Sequence, residues 1–134
     1  AADVVITTTP SKQPIVKAEW LHPGLHITAV GADLADKQEL EAAVLARAHL
    51  VVCDRRAQCA RMGELHHALA AGAVRDEGAV AELGELVLGR APGRRSNDEI
   101  TVCDLTGTGV QDSAIAALAY ERARANGVGL TVKN

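Results

Sequence analysis

Phenylalanine is absent from the 134 residues, and tryptophan, tyrosine and methionine occur once each. A chain this poor in rings has no stacking platform for nucleic-acid bases. Acids and bases are interspersed and nearly balanced, 17 against 14, so no cationic face marks a nucleic-acid or anionic-membrane partner. No apolar run reaches the roughly 20 residues needed to span a bilayer. The N-terminus lacks the basic and apolar regions of a signal peptide, and the expectation is a cytoplasmic protein. Three cysteines, Cys53, Cys59 and Cys103, without a Cys-x-x-Cys pair exclude a disulfide framework and a zinc ribbon. Cys53 and Cys103 end apolar runs and read as buried thiols. These exclusions leave a small-molecule site with no metal.

What the chain has is small aliphatic bulk. It is 48% apolar, carried mostly by alanine, valine and leucine, and its length suits one domain with tight helix-on-sheet packing. The central stretch is Leu25 to Leu40, where an apolar strand stops at Gly31 and delivers Asp33. Asp36 and Glu39 have capping-box spacing, which predicts a helix starting there. Carboxylates in loops at the carboxyl ends of parallel strands stand where ligands bind, which singles out Asp33. Position alone also fits a structural turn or cap.

The rest of the chain alternates in the same way. Val4 to Thr7 reads as a strand followed by a polar loop to Ser11, and Pro14 to Trp20 as a connection with one helical turn. Pro23 and Gly24 break any helix between His22 and His26 and so rule against a metal pair. Leu40, Val44 and Ala48 recur at helical spacing, and His49 to Cys53 is a further strand. Asp54 to Met62 reads as a short helix with solvated arginines. His66, Leu69 and Ala70 suit a helix with one histidine packed and its neighbour exposed, and Ala79 to Leu88 suits another helix. Ile100 to Asp104 is a strand, Thr108 and Gln111 form a capping box, and an alanine-rich helix follows to Asn126-Gly127. Val128 to Val132 reads as extended. Strands alternating with helices predict an α/β fold with a parallel sheet.

The run Gly31-Ala32-Asp33-Leu34-Ala35-Asp36-Lys37-Gln38-Glu39-Leu40, with Thr7-Thr8-Thr9-Pro10 before it and Asp104 to Asp112 after it, resembles the ornithine cyclodeaminase/mu-crystallin family. Within that family it is most similar to the ectoine-utilisation cyclodeaminase and iminosuccinate reductase subgroup. The resemblance implies the second half of a Rossmann-like three-layer sandwich with a mostly parallel sheet. Residues 1–127 would form the C-terminal half of an NAD(P)-binding domain, and 128–134 a tail returning toward a dimerisation and substrate domain. It implies a subunit at least twice as long, homodimeric, binding NAD(H) or NADP(H) and a small amino-acid or imine substrate.

Residue by residue, the resemblance makes Asp33 the catalytic acid/base. It makes Thr7, Ile27, Thr28, Ala29, Val30, Lys37 and Gly107 cofactor contacts. Leu105 stands where cyclodeaminases carry a serine, and Ala35-Asp36 replaces the usual Pro-Gly. The implied chemistry is hydride transfer at an amino-acid α-carbon, with Asp33 moving a proton. Action as an acid near neutral pH would require burial or a neighbouring carboxylate to raise the Asp33 pKa from about 3.9. The alternatives are a cyclodeaminase that recycles its NAD and a non-catalytic binder of the mu-crystallin type.

Overall fold

The computed structural model describes residues 2–130 and 132. Four runs rich in β-branched residues and one two-residue segment form five parallel strands: β1 (Val4–Thr7), β2 (His26–Ala29), β3 (Leu50–Cys53), the short β4 (Ala81–Glu82) and β5 (Thr101–Asp104). The helices are α1 (Ala42–Arg47), α2 (Arg56–Cys59), α3 (Glu64–Ala70), α4 (Leu83–Val87) and α5 (Gly109–Ala125). Strand order across the sheet is β1-β2-β5-β3-β4, so the last strand in sequence lies at the centre. Register places Ala29 and Cys53 on either side of Asp104. All carboxyl ends therefore open on one edge, and the loops after β1, β2, β3 and β5 meet there.

One face of the sheet carries Ile27, Ala29, Val51, Cys53 and Val102 into a core closed by Leu40, Val44, Leu45, Leu65 and Ala68. Leu40, Val44, Leu65 and Ile27 are fully buried, and each such side chain contributes roughly 1.5 to 3 kcal/mol. The opposite face, with His26, Thr28, Val52 and Cys103, lies along an open groove bordered by Leu83, Leu86 and Arg94. Helix α5 is exposed along nearly its whole length, with Val110 70%, Ile115 62% and Tyr120 63% accessible. It thus packs on neither face among the described residues.

Several expectations change. The helix predicted from Asp36 begins at Ala42, with Glu41 at its N-cap, because Glu39 turns inward and Leu40 forms an isolated bridge with Val16. Asp36 is exposed and paired with Lys12 at 2.7 Å. The segment Ala79 to Leu88 splits into a 3-10 turn, strand β4 and helix α4, since Ala81 and Glu82 extend beside Val52 and Cys53. Arg56 is half-buried, donating to the Val80 carbonyl and to Glu85. His66 and His67 are both half-buried, each against a backbone carbonyl. Cys103 is also half-buried, because it faces the open groove. Residues 128–130 form no strand, and most of the remaining tail lies outside the described residues.

Candidate functional site

The crevice at the carboxyl edge is built around Glu39, whose side chain is fully buried. One of its carboxylate oxygens, Oε1, accepts from the Thr9 amide at 2.5 Å and the Thr9 hydroxyl at 2.8 Å. The other, Oε2, accepts from the Thr7 hydroxyl at 2.6 Å and the Gly31 amide at 2.8 Å. Burial raises the Glu39 pKa, but these donors outweigh it and hold the carboxyl below its ordinary value. Glu39 thus ties the β1 loop to the end of β2. Its own backbone N–H, with that of Leu40, donates to the buried Glu64 carboxylate at 2.7 and 3.0 Å.

Asp33 follows the Gly31 turn, its amide donating to the Gly31 carbonyl at 3.1 Å. Its carboxylate is exposed at the crevice mouth and receives Lys37 Nζ at 2.6 Å. The Lys37 hydrogen bond holds the Asp33 pKa below its ordinary value, contrary to the rise that an acid role would require. The loop carrying Asp33 is fixed at its far end. Gln38 N donates to the Ser11 carbonyl at 2.9 Å, and His67 Nε2 lies 2.8 Å from the Lys37 carbonyl.

The remaining residues of interest divide by what they already hold. Thr7 is buried with its hydroxyl committed to Glu39 and its carbonyl to Val30 N, so it shapes the floor of the crevice and offers no free hydroxyl. Ile27 and Ala29 point into the core, and Thr28 lies on the opposite face with its hydroxyl 3.0 Å from His26. At that strand end Val30 alone is well exposed, 39% accessible. Lys37 is held by Asp33. Gly107 has φ of +80°, which favours glycine, and its amide donates to Asp54 at 2.8 Å.

Three further carboxylates went unrecognised in the sequence. Asp54, after β3, accepts from the amides of Thr106 and Gly107 and the Thr106 hydroxyl, and so anchors the β5 loop. Asp104, at the end of β5, accepts from Leu65 N at 2.9 Å at the start of α3. Its Oδ1 is buried with no hydrogen-bond partner among the described residues. Burial pushes Asp104 up to about 6 and Glu64 up to about 7. The available signal was the repeated Val-Cys-Asp at residues 52–54 and 102–104, which ends adjacent strands with the same acid. Every partner of these four acids is an N–H, O–H or S–H group, and the described residues contain no cluster able to hold a metal ion.

Comparison with known proteins agrees with this architecture. The sequence profile of the ornithine cyclodeaminase/mu-crystallin family matches residues 1–127. An uncharacterised cyclodeaminase of Sinorhizobium fredii is 49% identical over 96% of this chain and 39% of its own length. The solved structure of an archaeal alanine dehydrogenase dimer with bound NAD superposes with TM-score 0.86 at 43% identity, covering 98% of this chain and 41% of that one. The iminosuccinate reductase of Paracoccus denitrificans in complex with NAD+ gives TM-score 0.87 at 41% identity, covering 99% of this chain and 40% of that one. The chain spans about two fifths of the length of the relatives it matches.

Proposed function

Because this chain belongs to the ornithine cyclodeaminase/mu-crystallin family, we propose that it is the C-terminal half of the nicotinamide-dinucleotide domain of an oxidoreductase acting on an amino acid or its imine. The observation that carries the reading is the position of Asp33, on the loop after β2, exposed and paired with Lys37 at the mouth of the crevice. A dinucleotide would lie along the carboxyl edge of the sheet. A Cβ added at Gly107 or Gly109 would meet open space, so the backbone there is approachable, and Val30 offers an exposed apolar surface. Val30 and the Gly107–Gly109 backbone would hold the nicotinamide end. When bound, a nicotinamide supplies or accepts the hydride.

The chain's own part is proton transfer and order. In amino-acid oxidation the α-carbon loses hydride and the nitrogen loses a proton, giving the imine. Asp33, ionised beside Lys37, accepts that proton. In the reductive direction the protonated Asp33 returns it, which needs substrate and the rest of the subunit to close over the site and displace water. Thr7 and Gly31 fix the strand ends beneath. The full-length protein is read as a homodimer, a reading supported by the alanine dehydrogenase structure, which is a dimer.

The test is an NAD(P)H oxidation assay of the full-length protein across imines and keto acids with ammonia, paired with Asp33→Asn. Loss of turnover with cofactor binding nearly intact is expected, and retained turnover removes Asp33 from the mechanism. The similarity to a cyclodeaminase supports a second reading, ammonia release with the cofactor regenerated. Ammonia formation without net NADH change would select it, and stoichiometric binding without turnover would indicate a binding protein.

A further inference from the structure

We infer that Glu39 is the positioning residue of this site: by clamping the Thr7–Thr9 loop to the Gly31 turn it fixes where Asp33 presents its carboxylate. The inference rests on the proton-transfer reading of Asp33.

A buried acid in a small aliphatic core normally needs a cation or must take up a proton. Glu39 has neither requirement, because four donors from two separate loops converge on its two oxygens. Two of these donors are backbone amides, which cannot rotate away or be replaced by other side chains. Gly31 lies two residues before Asp33, and the peptide that follows the amide held by Glu39 accepts the Asp33 amide through the Gly31 carbonyl, so the loop starts directly from the point that Glu39 fixes. At the other end of the loop Glu64 holds the Glu39 and Leu40 amides. Residues 33–36 are exposed between these two fixed ends. An exposed aspartate acquires a defined position only if its loop is anchored from below, and Glu39 is the anchor common to β1 and β2.

The carboxylate is specifically required. In Glu39→Gln the carboxamide NH2 group takes the place of one oxygen. If it replaces Oε1 it confronts the Thr9 amide, and if it replaces Oε2 it confronts the Gly31 amide. Hydroxyls can reverse and accept, but backbone N–H groups cannot. Either orientation releases one loop.

The experiment uses Glu39→Gln in the full-length protein, assayed for NADH-linked turnover with circular dichroism as a check on folding. We expect kcat to fall at least tenfold with the KM for NADH within threefold, and the solvent deuterium isotope effect on kcat to rise above two as the misplaced Asp33 makes proton transfer slow. A kcat within twofold of the parent overturns the inference. So does a lower kcat with an unchanged isotope effect, which marks a purely structural role. If Glu39→Gln fails to fold, Thr9→Val removes one donor and is expected to give the same pattern at smaller amplitude. Hydrogen exchange separates this inference from the reading beneath it. Amides of residues 31–38 are expected to exchange at least tenfold faster in Glu39→Gln with β2 and β5 unchanged. Faster exchange together with parental turnover in Asp33→Asn faults the role of Asp33 and leaves the clamp standing, whereas unchanged exchange faults the clamp.

Discussion

Gly31 faces Glu39 so closely that a Cβ added to the glycine would lie 2.5 Å from the Glu39 carboxylate and press on the Thr9 carbonyl. The glycine is required by this contact and not by its backbone angle, since its φ is not among the positive ones. Gly31→Ala therefore must displace either the β1 loop or the carboxylate. Overpacking of this kind costs about 1 to 3 kcal/mol. The expected result is a melting temperature lower by several degrees, together with a greater than tenfold loss of turnover, read by calorimetry and by the NADH assay. An unchanged melting temperature would mean that the contact relaxes freely.

Glu64 and Asp104 make stability depend on pH in an uncommon direction. Burial raises their pKa values to about 7 and about 6, above the ordinary 4.5 and 3.8. The folded protein then holds these protons more tightly than the unfolded chain. Their contribution is complete below about pH 4 and is lost as pH rises through 6 and 7. Glu39 has the opposite sign, but its lowered pKa confines its effect to more acid solution. Thermal melts should show stability falling from pH 5 to pH 8, by on the order of 3 kcal/mol for Glu64 alone. In Glu64→Gln the absolute stability should be lower and the slope near pH 7 should shrink. A parental slope in that variant would assign the dependence elsewhere.

The architecture was legible wherever one segment carried its own pattern. Val4–Thr7, Leu50–Cys53 and Thr101–Asp104 alternate β-branched residues with loop punctuation, and the Thr108–Gln111 capping box starts α5 as its spacing indicates. The two-residue strand β4 has no periodicity of its own and exists because β3 offers it a partner. Glu39 was misassigned for a related reason. Asp36-x-x-Glu39 is a sound local capping signal, but Thr7 and Thr9, about thirty residues earlier in sequence, bring stronger donors. Local spacing cannot register a partner that only the sheet brings near. Asp54 and Asp104 escaped for the same cause, since the Thr106 and Gly107 amides that Asp54 anchors and the Leu65 amide that Asp104 holds lie 39 to 53 residues away in sequence.

Lys37 sets the acidity of Asp33. The 2.6 Å contact stabilises the carboxylate and lowers its pKa, so the ionised form persists into more acid solution. Lys37→Met removes the cation and most of that lowering. The acid limb of the pH profile of kcat/KM in the oxidative direction should then move to higher pH, with activity above neutrality less affected. An acid limb that stays in place would show that a group other than Asp33 governs it.

Strand β1 is hydrogen-bonded on one side only, to β2, and its outer edge is open among the described residues. Val4 and Ile6 on it are 60% and 65% accessible. An unpaired edge bearing β-branched side chains is a template for a further strand. Covering each of these residues in a second copy would contribute about 1 to 2 kcal/mol, in addition to the ladder of backbone hydrogen bonds. The 134-residue chain by itself should therefore associate with rising concentration. Ile6→Lys should oppose this, because a charged edge residue must be desolvated to pair and two copies bring like charges together. Light scattering across a hundredfold concentration range is the check. A concentration-dependent mass for the parent chain that drops toward 14.0 kDa in Ile6→Lys assigns the association to this edge. An association unchanged by the substitution would move the contact to the exposed apolar residues of α5, where Val110, Ile115 and Tyr120 offer the next unpartnered surface.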